Sequence, residues 1–435
     1  MPSNAEIQKI INQRVDDFHQ SVGIVVGVLT PEGRTIIDHG PLAKGDTRQM
    51  NGDTVFEIGS VSKVFTSLLL ADMVQRKEVA LTDPVAKYLP DTVKLPGRGG
   101  KQITFVDLAT HTSGLPRMPN NFKPADPSNP YADYTVPQMY EFLSGYQLTR
   151  DIGEKYEYSN LGGGLLGHAL ARRAGVDYET LLHDRITGPL GMKDTAIKLS
   201  MGMQMRLATG YNAQLNRTSN WDIPTLAGAG GIRSTANDLL TFLAAFLGYT
   251  KTPLAPAIAA MLETRRPTDL PTMEITLGWH VATKNGPFIW HNGGTGGYRS
   301  FIGYDPKTRT GVVVLANAFT VAGVDDIGMH LLNPKAQLLG AAAFAPPKER
   351  KEIKVDPALF DKYTGRYELA PNFILTVTRE GDHLFAQATG QPKVEIFPET
   401  EKDFFYKVVD AQITFENDHL TLHQMGRNMP AKRLP

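Results

Sequence analysis

The sequence predicts an α+β protein: an antiparallel sheet flanked by helices, a mostly helical lobe, and a small all-β barrel at the C-terminus. Three observations carry that expectation. Strand-like segments at 23–29 and 34–38 are matched late in the chain by others at 288–290, 298–304 and 312–316, with helical periodicity between them. Composition then shifts at Phe344-Ala-Pro-Pro-Lys-Glu-Arg350, where two prolines and a charged run read as a linker. Beyond it, short strands recur at the even spacing of meanders that close into barrels or sandwiches. A chain of 435 residues is also long for one core. The expected domains are therefore 1–345 and 355–435, joined by a linker at 346–354.

Taken in order, Ile7, Ile10, Ile11, Val15 and Phe18 recur at helical spacing and predict an amphipathic helix over 4–20. Pro31-Glu-Gly33 turns the chain between the first two strands. A helix opens at Ser60 and runs to about residue 75, with Val64, Leu68, Leu69 and Met73 as its buried stripe. Residues 81–90 read as a short capped helix. Residues 116–137, rich in Pro, Asn and Asp, predict a long loop of the kind that borders sites. Helices follow at 160–174 and 235–246, the second capped by Ser234 or Thr235, and a closing helix is expected over 324–340. The barrel strands are expected at 365–369, 374–378, 383–386, 393–397, 404–408, 412–416 and 419–423.

Bulk composition excludes several functions. Forty-five basic and forty-five acidic residues cancel, so neither nucleic acid nor an anionic membrane surface is an expected partner. Cysteine is absent, which removes disulfides, thiolate catalysis and Cys-based zinc sites. No apolar run approaches the roughly 20 residues of a membrane span. The start, Met1-Pro-Ser-Asn-Ala-Glu, has no basic or apolar leader, so the expectation is a cytoplasmic protein, or a periplasmic or secreted one whose signal was removed.

Three short patterns carry chemistry. Ser60 opens a helix whose free N–H groups favour developing negative charge, and Lys63, three residues on, shares its face. Tyr158 and Asn160 lie two apart in a segment that, if extended, projects both side chains to one side. A tyrosine needs a neighbouring cation to act as a base near neutrality, and Lys63 would serve. His291 ends a strand ahead of Gly293, Gly294, Gly296 and Gly297, which let backbone approach a ligand. The N–H groups of Ser60 and Gly294 would then form an oxyanion hole. Each pattern alone has a plainer reading: an N-cap serine with a surface lysine, a core tyrosine, a glycine-rich hairpin.

Together they resemble the class C β-lactamase and penicillin-binding-protein superfamily, which also holds esterases and D-residue peptidases. The resemblance covers most of residues 20–340. It rests on Phe56-Glu-Ile-Gly-Ser60-Val-Ser-Lys63, Leu108-Ala-Thr-His-Thr-Ser-Gly114-Leu-Pro116, Tyr158-Ser-Asn160, Pro189-Leu-Gly-Met192, Gly230-Gly-Ile-Arg-Ser234-Thr and His291-Asn-Gly293, in family order. It implies a β-lactamase/transpeptidase-like fold, nucleophile Ser60, Lys63 as proton shuttle and Tyr158 as general base. Asn160 would position, His291 would stand as the third-motif side chain, and Gly294 would donate to the oxyanion. The base could equally be Lys63, since coupled groups share protons. Where His291 stands, the β-lactamases carry a lysine that holds the substrate carboxylate. Histidine at that place resembles the family VIII esterase, D-aminopeptidase and some D,D-peptidase branches. The C-terminal domain resembles a lipocalin-like accessory barrel that helps wall the cleft in peptidase-like members.

Other signals are set aside. Gly162-Gly-Gly164-Leu-Leu-Gly167 fits a dinucleotide pattern but sits within a predicted helix after no strand, so it reads as close helix packing. His419 and His423 read as a surface pair, and neither H-E-x-x-H nor G-x-S-x-G occurs; no metal and no cofactor are expected. His111 and His168 read as structural, and Trp279, Trp290 and Tyr298 as either cleft or core. The expected function is a serine hydrolase acting through a Ser60 acyl-enzyme on a small amide or peptide substrate. A carboxylesterase, a weak β-lactamase and a catalytically silent binding relative are the alternatives. The sequence leaves the oligomeric state open.

Overall fold

Alternating β-branched residues build the central sheet. In the strand Ile24–Thr30 and its neighbour Thr310–Ala316, Val25, Leu29, Val313 and Leu315 enter one core while Ile24, Val26, Val28, Val312 and Val314 enter another. Both faces are therefore covered, and Thr310–Ala316 is buried along its whole length. Helices Ser62–Gln75 and Ala236–Phe246 supply the first core. Ile7 and Ile11 of Asn4–Asn12 and Ile327 and Leu331 of Asp325–Leu332 supply the second. The sheet has eight antiparallel strands in the order Gly33–His39, Ile24–Thr30, Thr310–Ala316, Arg299–Asp305, Ile289–Gly294, His280–Ala282, Met273–Ile275 and Arg266–Pro267. The computed structural model describes residues 1–434 except 285, 345–349, 371–372, 390–392, 408–410 and 425–426. Residues 346–349 of the expected linker thus lie outside the described residues. The chain divides into two units, Met1–Leu338 and Leu339–Pro435.

The second unit contains a closed eight-stranded antiparallel barrel. Tyr367, Phe404, Ile413, Phe415 and Leu420 fill it, with Tyr363 stacked 4.2 Å from Phe415. The eighth strand, Arg427–Arg433, closes it by pairing with both His419–Gln424 and Gly365–Ala370. Sequence reasoning expects only seven strands because this one, Arg-Asn-Met-Pro-Ala-Lys-Arg, carries three charges, a proline and no β-branched residue.

Other expectations also change. The closing helix is Asp325–Leu332 rather than 324–340, because Asn333, held extended at φ −140° and ψ 98°, precedes Pro334. The first helix ends at Asn12 and loosens into a wider turn over Gln13–Asp17. Residues 81–90 hold only the 3₁₀ turn Val85–Tyr88, bounded by Pro84 and Pro90. The loop after Pro116 gives way at Val136–Gly145 to a helix with a Thr135–Gln138 capping box. Helix Ser62–Gln75 has no single buried stripe: Ser62 through Met73 are all buried, as befits a helix at the centre of a domain. Among the described residues no helix is long and apolar enough to cross a membrane.

Candidate active site

The serine is delivered by a tight turn. Strand Val55–Glu57 leads through Ile58 to Gly59, whose φ of +50° favours glycine, and the 3₁₀ turn Gly59–Val61 runs into helix Ser62–Gln75. Strand Ile289–Gly294 presses on this turn. A Cβ on Gly59 would meet the Gly294 nitrogen at 2.6 Å, and one on Gly293 would meet the Ile58 carbonyl oxygen at 2.0 Å. Ser300 secures the approach by donating to that same carbonyl at 2.8 Å. Two glycines are thus required to bring the Gly294 backbone beside Ser60.

Lys63 is buried, and its Nζ lies 3.0 Å from Ser60 Oγ, 2.9 Å from Asn160 Oδ1 and 2.7 Å from the Ala229 carbonyl oxygen. Both of the latter only accept, so two N–H groups are committed to them. The third contact is a hydroxyl, which can donate to the lone pair of a neutral amine. Burial, reinforced by the Arg117 cation, pushes the Lys63 amine well below the usual lysine range. All three partners can accept from the lysine, and burial is what favours its neutral form. The 160–174 glycines explain how a carbonyl reaches it. A Cβ on Gly164 would meet Leu226 at 2.4 Å and one on Gly167 would meet Gly228 Cα at 3.0 Å, so helix Asn160–Ala174 closes on the turn that carries Ala229. This is the helix-packing role read from the sequence.

Tyr158 and Asn160 flank Ser159, whose extended backbone (φ −125°, ψ 115°) turns both neighbours toward the lysine. Ser159 caps the helix, accepting from the Gly162 N–H at 2.8 Å and donating to the Pro116 carbonyl at 2.6 Å. The Asn160 and Leu161 N–H groups both donate to the Arg117 carbonyl, so the 116–117 segment is bound to the helix start. The Lys63 nitrogen lies 4.8 Å and the Arg117 guanidinium 5.2 Å from the Tyr158 ring centroid. Burial pushes the Tyr158 phenol far up, against the pull of the Ser60 hydroxyl and of Arg117. Tyr158 is a neutral hydroxyl at rest.

Behind Tyr158 stands a group of imidazoles. His111 packs 4.5 Å from its ring and accepts from the Ser159 N–H through Nδ1; His291 lies 6.2 Å from it and His280 5.1 Å from His291. Burial pushes all three below the ordinary histidine range, His280 to about 4. His291 is 1% exposed, with Nδ1 on the Asn292 carbonyl oxygen at 2.6 Å. It backs the site as a neutral ring, whereas Asn292, Gly293, Gly294 and Thr295 reach the cavity.

That cavity, about 540 Å³, opens over Ser60, Tyr158 and Asn160. Tyr131 and Trp221, 5.3 Å apart, form an aromatic wall, and Arg117 and Arg299 contribute cations. Tyr131 comes from the loop expected to border a site. Asn129 ties that loop to Asp222, donating to its carboxylate at 3.0 Å and accepting from its N–H at 2.8 Å. Sequence reasoning missed Arg117, Trp221, His280 and Arg299; only Arg117 had a signal, standing directly after the 108–116 block. Trp279 and Tyr298 belong to the core. His168 bonds Tyr140 at 2.6 Å. Among the described residues no cluster of His, Asp and Glu could hold a metal ion, and His419 and His423 bond separately to Glu416 and Asn428.

Fold and site together define a penicillin-binding-protein-like serine hydrolase. Residues 7–331 match the Beta-lactamase family, so the chain belongs to it; residues 349–428 match a family described as a domain of unknown function, DUF3471. The chain is 29% identical over 345 residues to the D-alanyl-D-alanine-carboxypeptidase/endopeptidase AmpH of Escherichia coli, covering 74% of this chain and 88% of AmpH. It is 26% identical over 432 residues to penicillin-binding protein 4* of Bacillus subtilis, covering 93% and 92%. Among solved structures, a β-lactamase/D-alanine carboxypeptidase from Yersinia pestis is similar with a TM-score of 0.67 and 25% identity, covering 76% of this chain and 96% of that one.

Proposed function

We propose that the protein hydrolyses amide or peptide bonds through an acyl-enzyme on Ser60. The observation that carries this reading is the buried Lys63 amine 3.0 Å from the Ser60 hydroxyl, held below the usual lysine range by burial. Lys63 takes the Ser60 proton as Oγ bonds to the substrate carbonyl carbon. The Ser60 and Gly294 N–H groups hold the oxyanion. The new ammonium returns its proton through the Tyr158 hydroxyl to the leaving nitrogen, the C–N bond breaks, and the amine departs. Water then enters, gives a proton to the same relay and attacks the acyl carbon, and Ser60 leaves with that proton. Asn160 holds the lysine and presents its amide to the substrate.

One point favours this order over a resting phenolate. Burial lowers the amine and raises the phenol, so the lysine is the group able to accept a proton first. The relative AmpH, a D-alanyl-D-alanine-carboxypeptidase/endopeptidase, supports a peptidase over an esterase. Steady-state rates on an amide and an ester with matched acyl groups test the choice. Turnover of both is expected; turnover of the ester alone would replace peptidase by carboxylesterase.

A further inference from the structure

The aromatic wall of the cavity stands on an irregular segment. Among the described residues, no backbone–backbone hydrogen bond holds residues 219–225. Without a ladder, side chains must satisfy and fix that backbone. Two of them meet at Trp221. Glu57 Oε1 accepts from the Trp221 N–H at 2.9 Å, and Arg233 Nη2 donates to the Trp221 carbonyl at 2.6 Å. The same carboxylate oxygen accepts from Asn220 Nδ2 at 3.0 Å, and the same guanidinium reaches the Asp222 carboxylate at 3.3 Å. One buried pair thus takes both backbone groups of Trp221 and a side chain on each flank of it.

Strand register sets the pair in place. Glu57 and Arg233 stand directly opposite each other where Val55–Glu57 pairs with Arg233–Thr235, with Oε1 and Nη2 3.4 Å apart. Opposite charges at facing positions attract, and Arg233 Nη1 is held in addition by the Ile197 carbonyl at 2.8 Å. Glu57 is 2% exposed. Burial raises its acid, against the pull of Arg233, Thr295, Asn220 and the Trp221 N–H. The relay through Lys63 and Tyr158 makes no use of this carboxylate. Nor does the serine turn depend on it: the Ile58 N–H donates to the Ile232 carbonyl at 3.1 Å, and Ser300 holds the Ile58 carbonyl. What the Glu57 side chain holds is the wall. At the far end of the indole, a Cβ on Gly296 would meet Trp221 Nε1 at 2.6 Å. The ring therefore fits closely between the glycine-rich turn and Tyr131, and a shift of its backbone must move it.

We propose that Glu57 and Arg233 are positioning residues that clamp the Trp221 peptide and so fix the aromatic wall of the substrate cavity. The kinetic half of the test rests on the Ser60 acyl-transfer reading, and the spectroscopic half does not. The full chain has three tryptophans, so protein grown with 5-fluorotryptophan gives three fluorine resonances, and Trp221→Phe assigns one of them. Glu57→Gln removes the charge at constant size. Arg233→Lys keeps the charge but cannot span both the Ile197 and the Trp221 carbonyls. In each variant the Trp221 resonance is expected to move or split while those of Trp279 and Trp290 stay in place. On p-nitrophenyl phenylacetate KM should rise about five-fold, the weight of one hydrogen bond, with kcat changed by less than about two-fold. Thermal melting accompanies both readouts, and if one variant does not fold the other carries the test. A Trp221 resonance that stays put in the folded variants overturns the proposal. So do equal shifts at all three tryptophans or loss of folding in both variants, which would mean a general structural role. A fall in kcat at constant KM would place the effect on the serine turn and overturn it too. A wild type that turns over no ester sinks the acyl-transfer reading, and the fluorine spectra then decide the clamp alone.

Discussion

The floor of the site and its wall use cations in opposite ways. On the floor, Lys63 is buried, committed to two acceptors and pushed toward neutrality. On the wall, Arg117 and Arg299 face the cavity as guanidiniums, which stay charged at any working pH. An amine can be neutralised by burial and so can move a proton; a guanidinium cannot, and so can only hold charge in place. The third-motif position belongs to neither, since His291 is buried and neutral. The comparison assigns proton transfer to the floor and charge recognition to the wall, and it can be broken at either.

The floor should break hardest. Lys63→Arg replaces an amine that burial can neutralise by a permanent cation without a lone pair, and kcat/KM should fall by roughly 10²–10⁴-fold. A loss under about three-fold in stopped assays would remove Lys63 as proton acceptor. Gly293→Ala tests where floor and wall meet. Its methyl would drive into the Ile58 carbonyl, forcing the strand off the serine turn and displacing the Gly294 donor. A fall of about 10²-fold in kcat is expected, the size of one lost oxyanion donor, with lowered thermal stability from overpacking. Unchanged kcat would mean that the strand does not register the oxyanion hole.

Smaller effects sharpen the contrast. The Arg117 guanidinium adds its charge to burial in depressing the Lys63 amine. Removing the cation in Arg117→Gln stabilises protonated Lys63, so its pKa rises. The acid limb of the kcat/KM profile, which requires neutral Lys63, should then move to higher pH by several tenths of a unit to about one unit. A limb that stays put would detach Arg117 from the base. The smallest effect is expected at Asn129→Ala, which frees the loop bearing Tyr131 from Asp222. Surface hydrogen bonds of this kind are worth about 1 kcal/mol each, so KM should rise a few-fold with kcat little changed.

What could be read from the sequence divides along the same line. Ser60, Lys63, Tyr158 and Asn160 are local in two short motifs, and a helix start and an extended tripeptide suffice to orient them. Arg299 and Trp221 are invisible there, because strand register and the 219–225 segment bring them to the cavity, and no spacing rule encodes either. His291 shows the limit of a motif: its position in the pattern was plain, but burial, which decides its charge, is a tertiary property. The sheet strands that alternate β-branched residues were legible. The barrel's last strand was not, because partners on both sides hold a segment of poor intrinsic propensity.

The central claim is a covalent intermediate on Ser60. Intact-mass spectrometry after incubation with a fluorophosphonate, a penicillin and a p-nitrophenyl ester, on wild type and on Ser60→Ala, tests it most directly. The account predicts a single adduct on the wild type that maps to Ser60 and is absent from Ser60→Ala. An adduct that persists in Ser60→Ala, or a folded wild type that none of the three reagents labels, would contradict it.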